Sequence, residues 1–226
     1  MDLKTSDGGS PDPILRRVAR YVLEKLHVYG LYSLSRRGPL HDDGWFRSFK
    51  EHRSVDRAGN PLPFITYPAI EFLLRRVRGD MSVFEYGAGA STLWWAARVK
   101  EVIACEHDRR WYEQITTQAP PNVTMIYETL EYGGAYSKAI RQFQARFDII
   151  VIDGRDRVNC AVNCPPALTS EGVILWDDSN RPKYEAGHRF LFEHGFRKIE
   201  FVGMGPIANE KLETAIFYRS GNCLGI

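Results

Sequence analysis

Four carboxylates and two glycines carry the chemistry that this sequence can do. Gly87-Ala88-Gly89 follows the apolar run Val83-Phe84 and precedes the helix-competent run from Leu93 to Val99. Two missing side chains at a strand-to-helix turn let a ligand touch backbone. Glu106 closes the next apolar run, Val102 to Cys105, where units of this kind place an acid against a ribose diol. Together they point to a nucleoside-bearing cofactor. Asp153 follows Phe147-Asp148-Ile149-Ile150-Val151-Ile152, and Asp177-Asp178 follow Gly172 to Trp176. Carboxylates that end adjacent strands converge at one edge of a sheet. Either they hold a cation such as Mg²⁺, or Asp153 meets cofactor or substrate directly while Asp177 and Asp178 cap the helix that follows.

The elements that must position these groups alternate. Strands are expected at 81–86, 101–106, 123–127, 147–153 and 172–176, and helices at 91–98, 109–118, 138–145, 157–169 and 183–194. The unbroken apolar run of the fourth strand implies cover on both faces, as in a central parallel strand. Two final strands, Phe196 to Val202 and Glu213 to Arg219, are joined by a loop without a helix, so they read as an antiparallel hairpin. Upstream, Ile14, Leu15, Val18, Ala19, Val22, Leu23 and Leu26 recur at helical spacing and predict a helix that packs on the domain or on a second copy. Residues 1–12 are expected to be a disordered lead, and 30–65 an irregular segment rich in Gly and Pro, with Trp45 and Phe46 as anchors. Glu128 to Ser137 reads as a mobile loop, with Tyr132, Gly133, Gly134 and Tyr136 as a lid and Tyr67, Trp45 and the 30–65 segment as the opposite wall.

Glu85-Tyr86-Gly87-Ala88-Gly89, the acid Glu106, the fourth- and fifth-strand runs and the closing hairpin make residues 66–219 resemble the class I S-adenosylmethionine-dependent methyltransferases. The resemblance implies an α/β fold: a doubly wound, seven-stranded Rossmann-like sheet in the order 3-2-1-4-5-7-6, its last strand antiparallel. Residues 1–65 would form a tail and helical extension, and 66–226 the cofactor-binding domain. It also implies S-adenosyl-L-methionine held by Glu85, Tyr86, Gly87, Ala88, Gly89, Ser91, Thr92, Glu106, His107, Asp153 and Gly154. The methionine carboxylate would meet the glycine-loop amides, and the ribose would meet Glu106.

Within that family the chain is most similar to catechol- and macrolide-sugar-type O-methyltransferases, which place metal-binding acids where Asp153, Asp177 and Asp178 stand. The implied activity is methyl transfer to a hydroxyl of a small metabolite or sugar, assisted by Mg²⁺ on those three acids. Where those enzymes carry a Lys or His base three residues after the first acid, this chain has Asp156. Asp153 and Asp178 are therefore the candidate bases, with Arg155 as the third catalytic candidate. Arg155, Arg157 and Arg181 either pair with the acids or bind an anionic substrate such as a uronate or phosphate.

Two rivals stand beside this reading. A nicotinamide-dependent oxidoreductase would prefer a third glycine where Thr92 stands and does not require Glu85. A non-catalytic nucleoside-binding scaffold would keep the pocket and use the N-terminal helix for a partner.

A net charge of +2 over 226 residues is too mild to argue for nucleic acid. No apolar run has the length of a membrane span, and the N-terminus has no apolar core, so the cytoplasm is the expected compartment. Cys105, Cys160, Cys164 and Cys223 are expected to be reduced, mostly buried thiols. A homodimer through the N-terminal helix is a further expectation.

Overall fold

A computed structural model describes residues 13–226; the lead at 1–12 lies outside the described residues. Seven strands form one sheet in the order β3-β2-β1-β4-β5-β7-β6. The strands are β1 (Ser82–Tyr86), β2 (Glu101–Glu106), β3 (Val123–Tyr127), β4 (Phe147–Ile152), β5 (Leu168–Asp177), β6 (Arg197–Gly203) and β7 (Leu212–Tyr218). The first five run parallel, and β7 is antiparallel to both β5 and β6. The expected strand order and closing hairpin are both present.

The sequence makes this sheet central by filling both of its faces. In β1 and β4 successive residues point opposite ways. Phe84, Tyr86, Ile150 and Ile152 pack with Trp176 and Phe217 into one core, while Val83, Ile149 and Val151 pack with Trp94, Trp95 and Leu175 into the other. Every residue of β1 is buried, including Ser82 and Glu85. Helices α6 (Ala90–Ala96), α7 (Arg109–Thr116), α9 (Arg157–Asn163) and α10 (Glu185–Glu193) connect the strands. All four cysteines are buried and free.

The structure corrects several expectations. The 30–65 segment is not irregular throughout. It holds α2 (Tyr29–Arg36), α3 (Pro39–Asp42) and α4 (Trp45–Glu51), short helices separated by Gly38 and Gly44 at φ of 101° and 82°. Trp45 does anchor this segment, its Nε1 donating to the Ala208 carbonyl at 2.6 Å, and Leu62 and Ile65 enter the core beside α5 (Tyr67–Leu74). Helix α1 (Pro13–Lys25) leaves Val18 and Val22 exposed, as is Leu26 just beyond it.

The expected helix at 138–145 is shorter and earlier. It is α8 (Ala135–Lys138) continued by one 3₁₀ turn, Ala139–Gln142. The stretch 128–137 is accordingly no free loop. Tyr136 is fully buried against Tyr86, with ring centroids 5.6 Å apart, so only Tyr132, at 73% exposure, remains of the expected lid. β5 starts at Leu168 rather than 172, through a register shift opposite Phe147 and Ile149 that no alternation signals.

One backbone contact sets the geometry of the carboxyl edge. The turn after β1 and the turn after β4 touch through glycines. Gly87 has φ of +91°, and a Cβ on it would stand 2.7 Å from the Cα of Gly154. A Cβ on Gly154 would in turn collide with the Tyr136 hydroxyl. Gly87→Ala is expected to lower unfolding free energy in urea by about 2–4 kcal/mol, from a positive φ and a backbone clash together. An unchanged urea midpoint would contradict this packing.

Candidate active site

The cleft at the carboxyl edge has a volume of about 1180 Å³. It is lined on one side by Gly87–Ser91, Glu106, His107, Asp108 and Trp111, and on the other by Tyr132, Asp153–Asn159, Arg181, Lys183 and Tyr184. His52–Val55, Pro61 and Phe64 close it from the N-terminal extension. Tyr67 and Trp45, expected as that wall, do not line it.

The glycine loop is built by side chains beneath it. Glu85 is fully buried and takes a hydrogen bond from the Thr92 hydroxyl; that hydroxyl oxygen accepts the Gly89 amide at 2.9 Å. Burial raises the Glu85 carboxyl to about 7, against the pull of the Ser91 and Thr92 hydroxyls. Glu85, Tyr86 and Thr92 do not line the cleft; they shape it. Of the expected cofactor residues, Gly87, Ala88, Gly89, Ser91, Glu106, His107, Asp153 and Gly154 do line it.

Glu106 is held rigidly. Its Oε1 accepts the amides of His107 and Asp108, both at 2.7 Å, and its Oε2 accepts the Ala88 amide at 3.0 Å. Oε2 keeps a lone pair for a hydroxyl. His107 Nδ1 lies 2.8 Å from Glu106 Oε1 but is not aligned for a hydrogen bond.

Trp111 lines the cleft and was not singled out from sequence. Asp108 caps α7 by accepting the Trp111 amide at 3.0 Å, and the indole folds back to donate to the Ala88 carbonyl at 2.6 Å. It stands beside Gly89, whose Cβ position is 3.9 Å from the indole. The available signal was the cap itself, which fixes where the first turn of α7 points.

The acids at the ends of β4 and β5 do converge, but around a guanidinium. Arg157 is 9% exposed. Its Nη2 meets Asp153 Oδ1 at 3.0 Å, and its Nη1 lies 3.8 Å from Asp177 Oδ2 and 3.6 Å from Asp178 Oδ2. Nη1 also bonds the Asp177 carbonyl, and Nε the Gly154 carbonyl at 3.0 Å. Asp177 Oδ1 accepts the Thr214 hydroxyl at 3.0 Å, below the cleft floor. Arg181 holds Asp178 at 2.6 Å.

These residues do not fit the expected divalent ion. The position that Mg²⁺ would take between the acids is filled by Arg157, and Asp177 and Asp178 do not line the cleft. No group of three or more His, Cys, Asp or Glu among the described residues could hold a metal ion. Three carboxylates share two guanidiniums, those of Arg157 and Arg181. Burial raises Asp153 to about 7, opposed by Arg157 and reinforced by Glu85 and Asp178; burial also raises Asp177.

His188, expected to be structural, lies in the packing of α10 on β5. It packs edge-on to Trp176 with centroids 4.8 Å apart, and burial together with Lys198 lowers it to about 4. His194 lies on the Phe190 ring, with Nδ1 2.7 Å from the Phe190 carbonyl.

Against known proteins, residues 84–179 match a family model described as a methyltransferase domain. The fold is the methyltransferase fold. The precorrin-6y C5,15-methyltransferase of Geobacter metallireducens GS-15 superposes with a TM-score of 0.56 at 14% identity, over 76% of this chain and 96% of that one. A SAM-dependent O-methyltransferase of Thermotoga maritima superposes at 0.50 and 16% identity, over 70% of this chain and 68% of that one. At such identities the likeness is one of fold. No curated protein matches.

Arg157→Met is expected to lower stability by about 3–5 kcal/mol at pH 8, because it leaves buried carboxylates without their counter-charge. The loss shrinks near pH 5, where Asp153, at about 7 in the folded protein, is already protonated. Urea titrations at the two pH values check this; a loss that is equal at both would contradict the charge-balancing role.

Proposed function

We propose that the chain is an S-adenosylmethionine-dependent methyltransferase acting on a hydroxyl of a small molecule or sugar. The observation that carries the reading is one cleft holding Gly87–Gly89, Glu106 and Asp153 on the carboxyl edge of a sheet closed by the β6–β7 hairpin. Its volume exceeds the upper end of ordinary single-ligand pockets, roughly 1000 Å³, so cofactor and acceptor fit together. The antiparallel β7 between β5 and β6 speaks against the nicotinamide alternative.

The residues fit the cofactor. Gly87 to Gly89 leave the backbone bare, Glu106 Oε2 offers a carboxylate lone pair to a ribose hydroxyl, and the Trp111 indole provides an apolar wall. When bound, S-adenosylmethionine supplies a methyl group already activated on a sulfonium. The protein aligns the acceptor oxygen and removes its proton. Asp153 lines the cleft with Oδ1 tied to Arg157 and is the candidate to take that proton. A carboxyl raised to about 7 is a far better base than one at its ordinary value. Asp178 is bound by both Arg157 and Arg181, away from the cleft lining, and is the weaker candidate. No step passes through a metal.

Residues 66–226 form the catalytic unit in this reading, and residues 1–65 an extension whose 52–64 stretch walls the acceptor side. No helix among the described residues is long and apolar enough to cross a membrane, in keeping with the cytoplasmic compartment that we propose. Association of two copies through α1 would cover its exposed Val18 and Val22 and the adjacent Leu26.

Calorimetric titration with S-adenosylhomocysteine is expected to give saturable one-site binding, weakened at least tenfold in Glu106→Ala. A charged hydrogen bond is worth about 1.5–3 kcal/mol, enough for that change. No heat with the wild-type chain would remove the proposal.

A further inference from the structure

The acids and the cations that line the cleft differ in one respect. Each acid is already engaged by the protein. Glu106 accepts three backbone amides, Asp108 accepts the Trp111 amide, and Asp153 is paired with Arg157. Asp156 accepts the Gly133 amide and the Asn159 side-chain amide, both at 2.7 Å. Of these four acids Asp153 is paired with a guanidinium, and the other three are held in place by amides.

Three of the cations are not engaged. Arg53, Arg155 and Lys183 line the cleft, are exposed, and have no carboxylate partner among the described residues. Lys183 makes only a cation–π contact, with Nζ 5.0 Å from the Tyr184 ring centroid. They come from three separate segments: the N-terminal extension, the turn after β4 and the turn after β5. That separation distinguishes them from a solvated face of one helix, since the fold alone brings them to one opening. Arg110 is also unpaired but stands beside Trp111, on the cofactor side. Arg157 and Arg181, candidates for the same role from sequence, are committed to the acids. They offset two of the three carboxylates Asp153, Asp177 and Asp178.

We propose that Arg53, Arg155 and Lys183 form an oxyanion-binding subsite on the acceptor side of the cleft, so that the methyl acceptor carries a phosphate or carboxylate group. Arg155 offers the planar fork that pairs with either oxyanion, and Lys183 a compact charge beside it. The sulfonium of the cofactor would add a further positive charge at the reacting centre, which favours an anionic partner over a cationic one. That the anion belongs to a methyl acceptor rests on the function proposed above; the anion subsite itself does not.

The test uses the full chain and two probes, pyrophosphate for the phosphate arm and citrate for the carboxylate arm, titrated calorimetrically with and without saturating S-adenosylhomocysteine. At least one probe is expected to bind, to weaken with added salt, and to lose at least tenfold affinity in the Arg155→Gln/Lys183→Gln double variant. Both positions are exposed, and an unchanged thermal midpoint verifies folding. The arm that binds names the oxyanion. Binding of neither probe overturns the proposal, as does equal binding by the double variant. Mutual exclusion of probe and S-adenosylhomocysteine also overturns it, because these cations would then serve the cofactor's own carboxylate. A chain that binds a probe but not S-adenosylhomocysteine keeps the subsite and loses the methyl-transfer reading.

Discussion

The carboxyl edge of this sheet depends on one guanidinium. Ending β4 and β5 with acids brings Asp153, Asp177 and Asp178 together, and like charges at such range cannot all stay ionised in a buried place. Arg157 resolves the conflict from within the first turn of α9. It bonds the Asp153 carboxylate and the carbonyls of Gly154 and Asp177, so it ties the ends of two neighbouring strands as well as balancing their charge. Asp156, just before it, is held at φ of +50° by the Gly133 amide and Asn159. A left-handed non-glycine residue at this turn is strain located where α9 must start early enough to place Arg157.

The same edge explains the division of labour along the cleft. On the cofactor side the groups are prearranged: Glu106 by three amides, the glycine loop by Glu85 and Thr92, and the indole of Trp111 by the Ala88 carbonyl. On the acceptor side the cations Arg53, Arg155 and Lys183 stand exposed and unpaired. A rigid half and an adaptable half suit a constant ligand met by a variable one.

Much of the fold was legible because local and global signals agree. The unbroken run Phe147 to Ile152 had to be covered on both faces, and the final pair of strands without a helix between them had to form a hairpin. The glycine loop and Glu106 were legible because each is fixed by neighbours in sequence. What stayed hidden depends on contacts across the chain. The sequence leaves Arg157 open between the acids and an anionic substrate, and only the fold shows it reaching Asp177 and Asp178 as well as Asp153. Tyr136 reads as a loop aromatic, and its burial follows only from Gly154 leaving room for its hydroxyl. The 30–65 segment is expected as a wall from sequence, but the Trp45 bond to the Ala208 carbonyl is a pairing no spacing encodes. From sequence the acids form a cluster whose cation is either a divalent ion or a neighbouring arginine, and the chain supplies the arginine.

The most direct measurement is a crystal structure of the chain grown with S-adenosylhomocysteine and Mn²⁺, with data collected for the anomalous signal of manganese. The account predicts ribose hydroxyls on Glu106, the Arg157 guanidinium still between Asp153, Asp177 and Asp178, and no manganese peak among those acids. A manganese ion ligated by them with Arg157 displaced, or S-adenosylhomocysteine bound away from Glu106, would contradict it.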